Sequence, residues 1–141
     1  MLDRVDHIGI AVEDLAAAKR LYGDVLGLRL LFEEEVPTER VRVAAYDGGG
    51  VRIELLESTS PDGPIGKFVA TRGPGIHHVC YETKDIRATI ADLAAAGVKT
   101  IDTHPRPGAG GCLVAFVHPR AAGGVLVELS QHPPGGKAHA P

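Results

Sequence analysis

The residues best suited to chemistry in this chain are two histidines and two glutamates that occur in matching contexts. His7 stands in VDHIGIAV and Glu54 in VRIELLE, while His78 stands in IHHVCYET and Glu128 in VLVELS. Glu54 follows His7 by 47 positions, and Glu128 follows His78 by 50. Each glutamate lies inside an apolar, strand-like run, where a buried carboxylate needs a partner. Taken singly, a histidine near the start of a strand is an ordinary hydrogen-bonded residue. The repeat couples the four, and two imidazoles with two carboxylates make a donor set for a divalent metal with mixed nitrogen and oxygen ligands.

Strand geometry supports the pairing, because successive side chains alternate between faces. Ile8, Ile10 and Val12 form one face of the first strand, the natural core face, and His7, Gly9 and Ala11 form the other. In VRIELLE, Ile53 and Leu55 belong to the core set, and Glu54 points oppositely with Arg52 and Leu56. In the second half Val79 and Tyr81 oppose His78 and Cys80, and Val125, Val127 and Leu129 oppose Glu128. His77 competes with His78, but a shift of one residue turns a strand side chain to the other face, and the repeat favours His78. Cys80 reads as a small lining residue. The four histidines outside these strands read as solvated, in loops or in the tail. Glu33, Glu34 and Glu35 read as a solvated run with one inward member at most.

The elements that must position these residues are legible as well. Residues 5–12 read as a strand, and Asp14 as the cap of a helix in which Leu15, Ala18, Leu21 and Tyr22 recur at helical spacing before Gly27 ends it. Strand-like runs follow at 28–34, 40–46 and 51–57, with Gly48, Gly49 and Gly50 turning between the last two. A connector containing SPDGPIGKF spans 59–74. The pattern then restarts: a strand at 76–83, a helix after Asp85 that ends at Gly97, and strand-like VKTI, LVAFVH and VLVELS. Residues 1–58 and 75–131 thus form two modules of one domain spanning 1–131, and 132–141 read as a disordered Pro/Gly-rich tail. A repeat this short is expected not to bury its apolar faces alone, so the copies should pack together. The predicted class is α+β, with two repeated βαβββ modules forming a curved mixed sheet around a metal-binding cavity.

Composition narrows the function classes. The chain has 141 residues, 15 Lys and Arg against 18 Asp and Glu, and a formal net charge of −3 with no basic block, which gives no reason to expect nucleic acid. No apolar run approaches the roughly 18 residues that would span a membrane. Two cysteines, Cys80 and Cys112, are too few for a disulfide framework. A cytoplasmic setting is the expectation.

The stretches DHIGIAVEDL, EVPTERVRV, IELLES, SPDGPIGKF with GPGIHHVCYE, and HPRAAGGVLVEL carry a resemblance to a known family. Up to about residue 131 the chain resembles the vicinal-oxygen-chelate superfamily and, within it, the methylmalonyl-CoA epimerases. The ligand pattern alone is shared with glyoxalase I; the two last stretches are more specific. The resemblance implies that His7, Glu54, His78 and Glu128 are metal ligands, Glu54 standing where some members have Gln. It also implies Co²⁺, with Mn²⁺, Ni²⁺ or Zn²⁺ as alternatives, an acyl-CoA substrate and a homodimer. The implied reaction is epimerisation alpha to the thioester through a metal-stabilised enolate, with Glu128 as one acid–base group.

The family's second carboxylate stands at the start of the third strand. Here Val36-Pro37-Thr38-Glu39-Arg40-Val41 places Thr38 at that position and Glu39 one place later. Glu39 is the candidate second base, although a one-residue shift in a strand would turn it outward unless a bulge near Pro37 restores it. Arg40, Lys67, Arg72, Arg106 and Arg120 are cations available for the CoA moiety. The rival readings are a glyoxalase-like isomerase, an extradiol dioxygenase and a metal-free small-molecule-binding module.

Overall fold

A computed structural model describes residues 1–135. The elements are β1 (Arg4–Val12), α1 (Leu15–Lys19) continuing as a π-helical turn (Arg20–Val25), β2 (Leu30–Val36), β3 (Val41–Asp47), β4 (Arg52–Ser58) and α2 (Pro64–Arg72). Then come β5 (Gly75–Glu82), α3 (Ile86–Ala95), β6 (Arg106–Pro107), β7 (Leu113–Val117) and β8 (Val127–Gln131). The expected class holds: the chain is α+β, with the βαβββ order occurring twice. It divides into two compact units, His7–His77 and the described residues from His78 onward together with Met1–Asp6.

In the first unit the strand order is β2-β3-β4-β1. β1 runs parallel to β4, with His7 opposite Arg52 and Gly9 opposite Glu54, and β3 is antiparallel to both its neighbours. A parallel pair requires a crossover, which α1 begins and the β2–β3 hairpin completes. The core under α1 is Leu15, Ala44, Tyr46 and Leu55, with Ile10, Val12 and Ile53 packed against it. Tyr46 is buried at the spot where Gly23 leaves room: a Cβ there would sit 3.3 Å from the ring. That burial also holds the Tyr46 phenol above its ordinary pKa.

In the second unit the order is β5-β8-β7-β6, β5 being parallel to β8. The core under α3 is Ile86, Ala115, Val117 and Leu129. The amino-terminal residues lie along this unit, Asp3 N–H donating to Glu82 O at 2.9 Å. Each unit therefore has an apolar cluster beneath its own helix.

The two modules start their helices in the same way. Asp14 Oδ1 accepts from Ala17 N–H at 3.1 Å, and Asp85 Oδ1 from Ala88 N–H at 3.0 Å. A second tie, not foreseen from the sequence, reaches each helix from the last strand. Glu57 accepts from Leu15 N–H at 2.9 Å, and Gln131 from Ile86 N–H at 2.8 Å. These satisfy two of the four donors that every helix start leaves open.

Several boundaries differ from the sequence reading. The connector contains a nine-residue helix, α2, with Pro64 at its start, where a missing N–H does no harm. VKTI is not a strand: only Thr100 bridges, to Val117. The ladder stops there because Phe116 N–H donates at 3.0 Å to the Asp102 side chain instead of to a backbone carbonyl. The first helix changes to π geometry from Arg20, leaving Leu21 exposed rather than on the core face. Residues 37–40 form a turn before β3 begins at Val41. Of the expected tail, 132–135 is described and the remainder lies outside the described residues.

Candidate functional site

In the first unit, β1 and β4 bring His7 and Glu54 together. His7 is 6 % exposed and Glu54 3 %, with His7 Nδ1 at 3.4 Å from Glu54 Oε2. The register explains it: Glu54 is opposite Gly9, one position of the same face along from His7. A third residue of that face completes the group. Arg52, only 4 % exposed, donates to Glu54 Oε2 from Nε at 3.3 Å and from Nη2 at 3.1 Å. The sequence reading put Arg52 on this face but gave it no role; a cation two residues from a buried carboxylate on one strand was the available signal.

The second unit repeats the arrangement. His78 is 5 % exposed and Glu128 7 %, and His78 Nε2 lies 3.6 Å from Glu128 Oε1. Glu128 is opposite Cys80, which is fully buried. Phe116, opposite Glu128 on the other side, meets the His78 ring edge-on at 5.9 Å. The Arg106 guanidinium rests over that phenyl ring at 5.5 Å and pairs with Asp102 at 2.6 Å. Among the cations considered for the CoA moiety, Arg106 is thus the one placed beside a histidine–glutamate pair. Arg40, Lys67, Arg72 and Arg120 are exposed.

Each unit therefore holds one imidazole and one carboxylate in a buried pocket of polarity, with nitrogen and oxygen donors of the type divalent first-row metals take. Burying a carboxylate at 3 to 7 % exposure is unfavourable without a compensating cation or donor, and a metal ion is one such compensation. The donor set fits a divalent ion.

Other candidates fall elsewhere. His77 meets Phe68 edge-on at 5.0 Å. Thr38 is exposed and Glu39 half-buried, both in the 37–40 turn, where Glu39 N–H donates to Val36 O at 3.1 Å. Strand alternation therefore does not govern where the Glu39 carboxylate points, and the expectation that it would face outward has no basis in a turn. Of the histidines read as solvated, His104 and His118 are exposed, and His118 caps a short helix by accepting from Arg120 N–H. His132 is different. Its Nε2 lies 2.7 Å from Oδ1 of Asp6, a carboxylate with no exposure at all. His139 lies outside the described residues. In the acidic run, Glu33 and Glu35 are exposed and pair with Lys19 and Arg42, and Glu34 is half-buried.

The fold and the paired donors define a class. Residues 6–116 match the model of the Glyoxalase/Bleomycin resistance protein/Dioxygenase superfamily, and the chain belongs to it, among the members that are epimerases. The particular relatives narrow this further. The ethylmalonyl-CoA/methylmalonyl-CoA epimerase of Cereibacter sphaeroides is 38 % identical, over 93 % of this chain and 99 % of that protein. The mitochondrial methylmalonyl-CoA epimerase of Mus musculus is 37 % identical over 92 % of this chain and 74 % of that protein. A variant of Streptomyces coelicolor methylmalonyl-CoA epimerase, solved in complex with 2-nitronate-propionyl-CoA, superposes with a TM-score of 0.88 at 37 % identity, covering 94 % of this chain and 99 % of that one. This chain is an isomerase of the racemase and epimerase class. Among the described residues no helix is long and apolar enough to cross a membrane.

Proposed function

We propose that this enzyme epimerises methylmalonyl-CoA at the carbon between the thioester and the carboxylate. The observation that carries the reading is the repeated buried pair, His7 with Glu54 and His78 with Glu128, in a chain whose relatives are named for that activity. His7, Glu54, His78 and Glu128 together hold one divalent ion, Co²⁺ first, with Mn²⁺, Ni²⁺ and Zn²⁺ as substitutes. The ion would supply positive charge to the oxygens of the substrate as the enolate forms.

The chain's own groups move the proton. Glu128 takes it from one face of the central carbon, and Glu39 returns one to the opposite face; the reverse assignment serves the opposite epimer. No electrons are gained or lost, and the only covalent change is one C–H bond broken and one formed. Arg106, stacked on Phe116 beside His78, is the candidate cation for the anionic substrate on this side of the site. The two units act as one catalytic domain, in a homodimer in the cytoplasm, and light scattering of the purified protein tests the dimer.

The deciding experiment loads the protein with Co²⁺ and incubates it with one epimer of methylmalonyl-CoA in D₂O. Inversion with deuterium incorporation at the central carbon is the expected result. Glu128→Gln should lower the rate by at least about a hundredfold. Glu39→Gln should abolish inversion. Absence of exchange above a metal-only control would remove the epimerase reading. Ethylmalonyl-CoA assayed in parallel tests the wider substrate range that the Cereibacter sphaeroides relative's name states.

A further inference from the structure

Glu54 is shared between two groups of opposite use. One is His7, its proposed co-ligand; the other is Arg52, a residue to which the reaction assigns nothing. Both approach the same oxygen, Oε2, His7 at 3.4 Å and the guanidinium at 3.3 and 3.1 Å. All three side chains are more than nine-tenths buried. They lie on one face of adjacent parallel strands, with Arg52 directly opposite His7 in the register. The core positions on either side of Glu54, Ile53 and Leu55, are apolar and pack in the cluster under α1. A buried guanidinium is unfavourable by itself and is retained only with a partner that repays it.

Charge explains the pairing. The proposed donor set carries two carboxylates, Glu54 and Glu128, and the substrate brings a third. Against a divalent ion that leaves a net negative centre, a total that proton transfer from the substrate to Glu128 leaves unchanged. In a buried site such an excess is expensive, because it is poorly screened. We propose that Arg52 is a positioning residue that neutralises Glu54, so that the first module presents an uncharged donor set to an anionic, carboxylate-bearing substrate. The proposal rests on the epimerase reading and concerns how the Glu54 half of that site admits an anion.

The consequence is specific. Removing Arg52 leaves Glu54 a stronger attractor for a cation, so metal binding holds or tightens, while the anionic substrate is repelled. A residue that merely supported the strand would weaken both. The test compares wild type, Arg52→Met, Glu54→Gln and the double variant, with three readouts. The first is the urea midpoint of the metal-free proteins; the second is the Co²⁺ dissociation constant from competition with a chelator; the third is KM and kcat for methylmalonyl-CoA. Arg52→Met is expected to lose urea stability without metal and to recover it with Co²⁺, whose charge replaces the guanidinium. Its Co²⁺ affinity should be equal to or tighter than wild type, and its KM should rise about tenfold with a smaller change in kcat. The double variant, in which both charges are gone, should unfold like wild type without metal and should show a smaller rise in KM than Arg52→Met, while binding Co²⁺ more weakly than wild type because the Glu54 carboxylate is lost.

The proposal is overturned if Arg52→Met and the double variant show the same deficit, since Arg52 would then act on something other than Glu54. It is equally overturned if neither variant folds, which would make the arginine a packing residue. An inactive wild type would remove the epimerase reading instead, and the charge coupling would still be decided by the metal-free stabilities and the Co²⁺ constants.

Discussion

Asp6 shows how much a single residue can depend on a distant one. It precedes the proposed ligand His7 and is completely buried, and the imidazole 2.7 Å from its carboxylate belongs to His132, just past the last strand. An isolated carboxylate in that position would be strongly unfavourable. His132→Ala should therefore destabilise the protein by about 2 kcal/mol, read as a lowered urea midpoint. His132→Gln keeps a donor and should recover part of it. Asp6 was visible in the sequence as a polar residue in an apolar strand. Its partner was not, because 126 positions separate them and no periodicity links a strand to a segment that looks like a solvated tail. Arg52 was half-legible in the same sense: its face followed from alternation, but its contact with Glu54 followed only from the burial of both.

At the scale of elements, the repeat is more faithful than the sequence suggested. Each helix start is tied both by its own aspartate and by a side chain from the module's last strand, Glu57 in one case and Gln131 in the other. Glu57→Ala and Gln131→Ala should each cost about 1 kcal/mol of stability, since each leaves a helix-terminal N–H without its partner. Equal losses in urea titrations would confirm that the ties are equivalent. The β3–β4 turn carries a pH dependence. Asp47 accepts from Gly49 N–H at 2.8 Å and pairs with Arg29 at 3.1 Å, and these donors hold its carboxyl below the ordinary value of 3.8. A depressed folded value means that the unfolded chain takes up the proton first, so the contribution is present above that ordinary value and is lost as the pH falls through the folded one. Asp47→Asn should accordingly be less stable than wild type at neutral pH, and the difference should vanish in strong acid. Helix α2 shows the limit of reading elements from pattern alone. It is short and contains Gly66, so its apolar spacing is weak, yet Pro64 at its first position was a start signal that a connector reading passed over.

For the molecule as a whole, the proposed metal makes a prediction that neither module makes alone. Co²⁺ at a hundredfold its dissociation constant should raise the unfolding free energy by about 2.7 kcal/mol, and a chelator should reverse it. If the four ligands share one ion, His7→Ala in the first module and His78→Ala in the second should each remove most of that gain and most of the bound metal. Two separate ions would instead leave about half of the metal in each variant, and the shared-site reading would fail. The sequence by itself determined the two βαβββ modules and the helix caps, and it singled out the four residues proposed as metal donors. Strand alternation, helical spacing and capping are local properties, and their repetition made them readable twice. Only the tertiary structure decided that Arg52 grips Glu54, that His132 partners Asp6 and that Thr38 and Glu39 sit in a turn. It also decided that each helix buries a core of its own. Those outcomes depend on which buried groups meet across strands and on which backbone donors a side chain captures first, and burial is a property of the folded chain that no spacing along it records.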